Sequence, residues 1–176
     1  MKIQVMSSIL ANKIAAGEVV EKISSVVKEL VENSIDASST EIKIELKESG
    51  MNEIKVTDNG TGMDREDATL AFERHATSKI IEEDDLFNIN TLGFRGEALP
   101  SIASVSETTL KTSTGTMGVT IIYDAGHLVS VSNSDSRKGT TVTVKNLFYN
   151  TPARLKHMKS TYSELASVSD FVNKIA

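Results

Sequence analysis

The chain has 176 residues, 39% of them apolar and 24% charged, with a formal net charge of -5 at pH 7 and no cysteine. That length suits one domain with a sizeable core, and the missing cysteines exclude disulfides and thiolate metal sites. The mild acidity disfavours nucleic-acid binding by the segment as a whole while leaving room for a local basic patch, and no run is apolar enough to span a bilayer or to act as a secretory signal.

In chain order, Met1 to Val5 can form a short edge strand. Ser8 to Val20 reads as a helix burying Ile9, Leu10, Ile14 and either Val19 or Val20, with Asn12 as its polar residue of interest. Ser24 to Asp36 also has helical spacing, with Ser24 or Ser25 as N-cap and an apolar stripe of Val26, Val27, Leu30, Val31 and Ile35. On a second face Glu29, Asn33 and Asp36 recur at intervals of four and three, lining up carboxylate, amide and carboxylate. That face is either solvated or functional, and the next segment favours function. Glu41 to Asp58 reads as two short strands with a turn at Glu48 to Asn52, and Asp58 falls in phase with Ile54 and Val56. A carboxylate on the core side of a strand needs a partner or a ligand. Asn59-Gly60-Thr61-Gly62 then supplies positions where a backbone turns sharply.

Asp64 to Arg74 is predicted as a helix capped by Asp64, with Asp67 in capping-box position. From His75 to Thr91 periodicity weakens, as expected for a lid or binding loop rather than a packed element. Gly93-Phe94-Arg95-Gly96-Glu97, placed directly before a helical run from Ala98 to Val105, suits a turn whose N–H groups converge on an anion. No GxxxxGK[ST] loop is present, and no GxGxxG follows a strand. From Glu107 onward the pattern is strand-like through Val144; Asn150-Thr151-Pro152 breaks it, and a last helix runs from about Thr161 to Ile175. Antiparallel strands with helices collected elsewhere predict an α+β two-layer sandwich. His75, His127 and His157 form no zinc spacing.

The stretches LANKIAAGEVV, VVKELVENSIDA, DNGTGM, FERHATSK, TLGFRGEALPSIASV, KGT and LFYNTPAR, in this order, span nearly the whole chain. In them the sequence resembles the N-terminal ATPase domain of MutL-like DNA mismatch-repair proteins, within the superfamily shared by gyrase-type topoisomerases, Hsp90 chaperones and histidine kinases. The resemblance implies a Bergerat-type fold, a mixed, mainly antiparallel sheet with helices on one face. It implies one ATP-binding domain over residues 1–176 with a mobile lid around 75–96, cut off from the family's downstream transducer and C-terminal domains.

ATP and Mg²⁺ are the implied cofactors. Glu29 matches the family's catalytic base, and Asn33 the residue offering a neutral oxygen to Mg²⁺. Asp58 matches the acceptor for the adenine amine, with Gly60 and Gly62 leaving room for the ring, Met63 packing on its face and Thr140 supporting adenine recognition. Asn12 matches a phosphate contact from the opening helix; Thr77, Ser78 and Lys79 match lid residues near ribose and phosphates. Leu92, Gly93, Phe94, Arg95 and Gly96 match the segment whose backbone donors hold phosphate, Arg95 serving as a latch or pairing only with Glu97 or the acidic run Glu82 to Asp85.

The implied function is slow, Mg²⁺-dependent ATP hydrolysis acting as a conformational switch in mismatch repair. The alternative is a nucleotide-binding or interaction fragment with little turnover, because the family completes its site with a lysine from a second domain. Implied partners are mismatch-recognition and downstream repair proteins, a second copy in an ATP-dependent homodimer of the full-length protein, and DNA for the full-length protein more than for this segment, with no membrane. A bacterial cytoplasmic location, nucleoid-associated during repair, follows from the same resemblance. Two positions depart from the family pattern: Ile23 stands where a proline is usual, and Ser38 where a glycine is usual. Both predict a less stable fold rather than a lost activity.

Overall fold

The computed structural model describes residues 4–6, 8–74, 76 and 96–176, and for Ser8, Ile9, Leu10, Asn12, Lys13 and Ala15 the backbone alone. Its elements are α1 (Ser8–Val19), α2 (Ile23–Asp36), β1 (Ile42–Lys47), a 3-10 turn (Glu48–Gly50), β2 (Glu53–Asp58), α3 (Arg65–Leu70), α4 (Ala98–Ser104), β3 (Glu107–Ser113), β4 (Gly118–Asp124), β5 (His127–Ser134), β6 (Gly139–Lys145), α5 (Pro152–Lys156) and α6 (Thr161–Ile175). The strands form one six-stranded sheet in the order β1-β2-β6-β3-β4-β5. Every pairing is antiparallel, so no parallel component is present among the described strands.

Strand alternation explains the two faces of this sheet. Ile44, Val56, Val142, Leu110, Ile121 and Val131 stand opposite one another across all six strands, an apolar row on the face covered by helices. The other face carries rows such as Lys43, Thr57, Thr141, Lys111 and Thr120. Helix α2 lies against β1 and β2, α4 against β3 and β4, α1 against α4, and α6 against α2 and the 3-10 turn. No helix among the described residues is long and apolar enough to cross a membrane.

The α2 helix starts two or three residues earlier than its serines suggest. Lys22 occupies the N-cap position without a side-chain bond, and neither Ser24 nor Ser25 is the cap. The cause is Ile23, which is fully buried and packs where a Cβ on Gly50 would lie 2.6 Å from its Cγ2. The residue replacing the family's proline is therefore a core anchor, contrary to the expectation that it only removes a start signal. Val26, Val27, Leu30 and Val31 are buried as predicted, but Ile35 is 37% exposed, and Ser34 instead continues the inner face at the i+4 spacing from Leu30.

Helix α2 ends as the sequence predicts. Ser38 N–H donates to the Ile35 carbonyl at 2.8 Å and Ser39 N–H to the Ser34 carbonyl at 3.2 Å, with Ser38 left-handed at φ 58. This is a Schellman closure made with serine in the position that favours glycine.

Residues 4–6 form no strand, in contrast to the expected edge strand at Met1 to Val5. Among the described side chains of α1, Ala16 is buried, as is Val20 just after the helix; Ile14 is 54% exposed, and the side chains of Ile9 and Leu10 lie outside the described residues. Asp64 caps α3 as predicted, accepting from Asp67 N–H at 2.9 Å, although the helix stops at Leu70 rather than Arg74. At Asn150-Thr151-Pro152 the chain does not simply break: Pro152 opens α5, its missing N–H costing nothing in the first turn. Just before it, the Tyr149 hydroxyl donates to Asp124 Oδ1, and that hydrogen bond, helped by partial burial, pushes the phenol up to about 12.

Candidate functional site

Two residues beyond Val56, Val142 and Leu110 on the covered face stand Asp58, Thr140 and Thr112, so the apolar row gives way to a polar one at one end of the sheet. Above it opens a cleft of about 1140 Å³, walled by α2, the loop after β2, the last turn of α1 and the start of α4. This is the size of a cleft for a substantial small molecule.

Asp58 is only 6% exposed, and its carboxylate is held from three sides. Oδ1 accepts from Gly60 N–H at 2.9 Å and from Thr140 N–H at 3.1 Å, and the Ser34 hydroxyl lies 3.0 Å from Oδ2. The same hydroxyl is 3.0 Å from the Leu30 carbonyl, so its single proton has two acceptors. A carboxylate with its donors on the protein side presents an acceptor edge in a fixed direction. Thr112 extends the polar row: its Oγ1 lies 2.9 Å from Thr140 Oγ1 and accepts from Met63 N–H at 2.9 Å.

Along α2, Glu29, Asn33 and Asp36 all line the cleft, as their spacing on one helical face predicts. Lys28 and Glu32, flanking this face, form an i,i+4 ion pair at 3.8 Å. Met63 and Thr140 line the same cleft, the former behind the Gly62 turn.

The two glycines of the loop also have a packing reason. Gly60 does not line the cleft; a Cβ there would lie 2.7 Å from the Ala37 carbonyl oxygen and 2.6 Å from Ser39 Oγ, so the glycine lets the loop press against the end of α2. There Thr61 N–H donates to the Ala37 carbonyl at 2.9 Å. Gly62 does reach the cleft, yet its φ of +68 and a would-be Cβ 1.9 Å from the Ser113 carbonyl oxygen tie it to β3. Both glycines serve the close approach of protein backbone to protein backbone.

Gly96 lines the cleft with φ +59, and a Cβ on it would lie 2.5 Å from the Ala76 carbonyl oxygen. Glu97, beside it, is 3.9 Å from Arg74 at the far end of the α3 segment. Thr77, Ser78, Lys79, Leu92, Gly93, Phe94 and Arg95 lie outside the described residues, as does the Asn12 side chain; among the described side chains of α1, Glu18 and Val19 reach the cleft.

Three site residues were not evident from motifs. Ser34 was legible in principle, because a polar residue on a buried helical stripe requires a partner. Thr112 sits on the buried side of β3 for the same reason. Arg137, which donates to the Asp58 main-chain carbonyl at 3.1 Å and to Thr141 Oγ1 at 3.0 Å, carried no signal toward the site because the Asp58 it reaches is 79 positions away. Among the described residues no cluster of three or more His, Cys, Asp or Glu stands ready to hold a metal by itself.

Comparison with known proteins gives the same architecture a lineage. The family model described as histidine kinase-, DNA gyrase B-, and HSP90-like ATPase matches residues 21–146. The DNA mismatch repair protein MutL of Geobacillus sp. (strain WCH70) is 61% identical over 99% of this chain, and that of Bacillus pumilus (strain SAFR-032) 58% over 99%. This chain spans 28% of the length of each of those relatives. Among solved structures, the Aquifex aeolicus MutL ATPase domain complexed with ADP superposes with a TM-score of 0.66 at 33% identity, covering 90% of this chain and 56% of that one. The N-terminal domain of a DNA repair protein superposes at 0.70 with 37% identity, covering 84% and 42%. The chain belongs to the histidine kinase-, DNA gyrase B- and HSP90-like ATPase family, among its MutL members.

Proposed function

We propose that these residues bind ATP in the cleft above Asp58 and hydrolyse it slowly, as the nucleotide-responsive part of a mismatch-repair protein. The observation that carries this reading is the fixed acceptor edge of Asp58, buried at the polar end of the sheet and held by Gly60, Thr140 and Ser34. An acceptor held there takes the exocyclic amine of adenine and rejects the carbonyl that guanine presents in its place. The ADP complex of the related Aquifex domain supports a nucleotide as the occupant.

With the base over Asp58, the phosphates are assigned to the part of the cleft lined by Glu29 and Asn33 on α2. Glu29 is assigned as the base that orients and deprotonates the attacking water. The donor set fits Mg²⁺: Asn33, Glu29 and Asp36 offer only hard oxygens, and the lack of an acidic cluster among the described residues suits a cation held mainly by phosphates and water. Asn33 would be its protein ligand. When bound, the cation neutralises charge between the phosphate oxygens. Residues 75–96, with Leu92 to Gly96 among them, are assigned to the phosphates.

Whole-protein roles follow as proposals of the same kind: ATP binding closes a homodimer, and the closed state engages DNA and mismatch-recognition and downstream repair proteins. Calorimetry with ATP and GTP, with and without Mg²⁺, on the wild type and Glu29→Ala, followed by phosphate release, tests the core of the proposal. ATP-selective binding kept in the variant with hydrolysis abolished is the expected result. Hydrolysis unchanged by the substitution would remove Glu29 from the chemical step, and absence of ATP binding to the wild type would refute the site.

A further inference from the structure

Helix α1 contributes Glu18 and Val19 to the cleft wall, but it brings no basic residue in its own last turn to meet the negative end of its dipole. A cation reaches that end from the far side of the sequence. Arg154, in α5, donates from Nη1 to the Val20 carbonyl at 3.2 Å, where α1 terminates. A Cβ on Gly17 would lie 1.7 Å from Arg154 Nη2, so the guanidinium occupies the space that glycine leaves on the helix surface. The guanidinium carbon also lies 5.7 Å from the centre of the Phe148 ring, which is itself fully buried, fixing the cation from the body side. Carbonyl, glycine notch and ring are three separate contacts that hold one planar group in one orientation.

We propose that Arg154 is a positioning residue for the cleft: it pins the C-terminal turn of α1 to the body of the domain and so keeps Glu18 and Val19 in the wall that a nucleotide meets. This rests on the reading of the cleft as a nucleotide site. It also makes α5 sensitive to the cleft, since any movement of α1 upon binding is transmitted through the guanidinium.

The test uses the 176-residue chain and three variants, Arg154→Ala, Arg154→Lys and Gly17→Ala, with ATP affinity measured by calorimetry and amide exchange measured without nucleotide. Arg154→Ala is expected to weaken ATP binding about tenfold and to speed exchange in residues 13–20, with β3 and β6 unchanged. Arg154→Lys keeps the charge but not the fork, and is expected to fall between wild type and the alanine variant. Gly17→Ala is the discriminating variant. Alanine favours the helix, so thermal stability should not fall, yet its methyl displaces the guanidinium and should reproduce the affinity loss. The double variant Gly17→Ala/Arg154→Ala should bind no more weakly than Arg154→Ala alone. Wild-type affinity in Gly17→Ala, or exchange in Arg154→Ala that rises throughout the sheet, would overturn the proposal in favour of a general brace. Failure of the wild type to bind ATP would overturn the reading of the cleft and the positioning role together, whereas α1 exchange in the variants would still report whether the tether exists.

Discussion

Replacing Asp58 by asparagine changes a single atom in the cleft, and the surrounding geometry says what that atom does. Oδ1 remains an acceptor for Gly60 N–H and Thr140 N–H, at 2.9 and 3.1 Å, and the new amide nitrogen takes the place of Oδ2. Ser34 tolerates the exchange: its hydroxyl turns its proton to the Leu30 carbonyl, 3.0 Å away, and accepts from the amide instead. The fold therefore keeps every partner, and two charge-assisted bonds become neutral ones, a loss of about 1–2 kcal/mol. For a chain of this size that lowers the melting temperature by several degrees at most, on the order of 3 °C per kcal/mol. The cleft suffers more, because an N–H donor now faces the adenine amine. A donor left unpaired in a closed site costs roughly 3 kcal/mol, equivalent to about a hundredfold in affinity. Guanine's carbonyl is simultaneously offered a donor, so the preference for ATP over GTP should narrow. Titration calorimetry with both nucleotides, at a temperature where denaturation curves show the variant folded, measures this directly. ATP affinity within about threefold of wild type, with unchanged selectivity, would refute the assignment of adenine to Asp58.

Three further predictions concern stability and its pH dependence. Ser38→Gly relieves a left-handed φ of 58 at an exposed position and should raise stability by about 0.5–1 kcal/mol, after the extra entropy glycine gains in the unfolded chain; a lower urea midpoint would contradict it. Ile23→Ala removes a fully buried side chain from the first turn of α2 and should cost about 2–4 kcal/mol, so a loss under 1 kcal/mol would show that the site collapses or that Ile23 is not an anchor. The Tyr149 phenol stands at about 12, above its ordinary value near 10, because its proton is held by Asp124. The unfolded chain loses that proton first, so the contribution is complete below about pH 10 and disappears as pH rises toward 12. Tyr149→Phe should flatten the decline of stability across that window, and an unaltered slope would rule the bond out as its source.

How far the sequence could be read depends on whether the deciding contacts are local. The β1–β2 hairpin and the inward phase of Asp58 follow from strict alternation within one strand pair, and the Asp64 cap and helix α6 follow from signals within a turn of their own residues. The face of Glu29, Asn33 and Asp36 likewise came from spacing alone. Other features are set by distant partners. The start of α2 moved because Ile23 is claimed by the core around Gly50, a tertiary contact that overrides a serine cap. Gly60 appeared to make room for a ligand, yet what it accommodates is Ala37 on a neighbouring element. Two of the three residues that orient Asp58 lie 24 and 82 positions away, which no windowed pattern contains, and only Gly60 is local.

The strand order carries a consequence for how the molecule is made. β6 is the last strand in sequence, yet it lies in the middle of the sheet, between β2 and β3. Until it is synthesised, the β1–β2 hairpin and the β3–β4–β5 meander each present an open inner edge and have no hydrogen-bonded connection to one another. Asp58 belongs to the first piece and Thr112 to the second, and Thr140 on β6 joins them. The Asp58 end of the cleft is thus assembled from strands far apart in the chain rather than being a property of either piece. Such long-range closure is slow relative to local hairpins, so a nascent chain ending before Gly139 carries two sticky edges and an incomplete polar row.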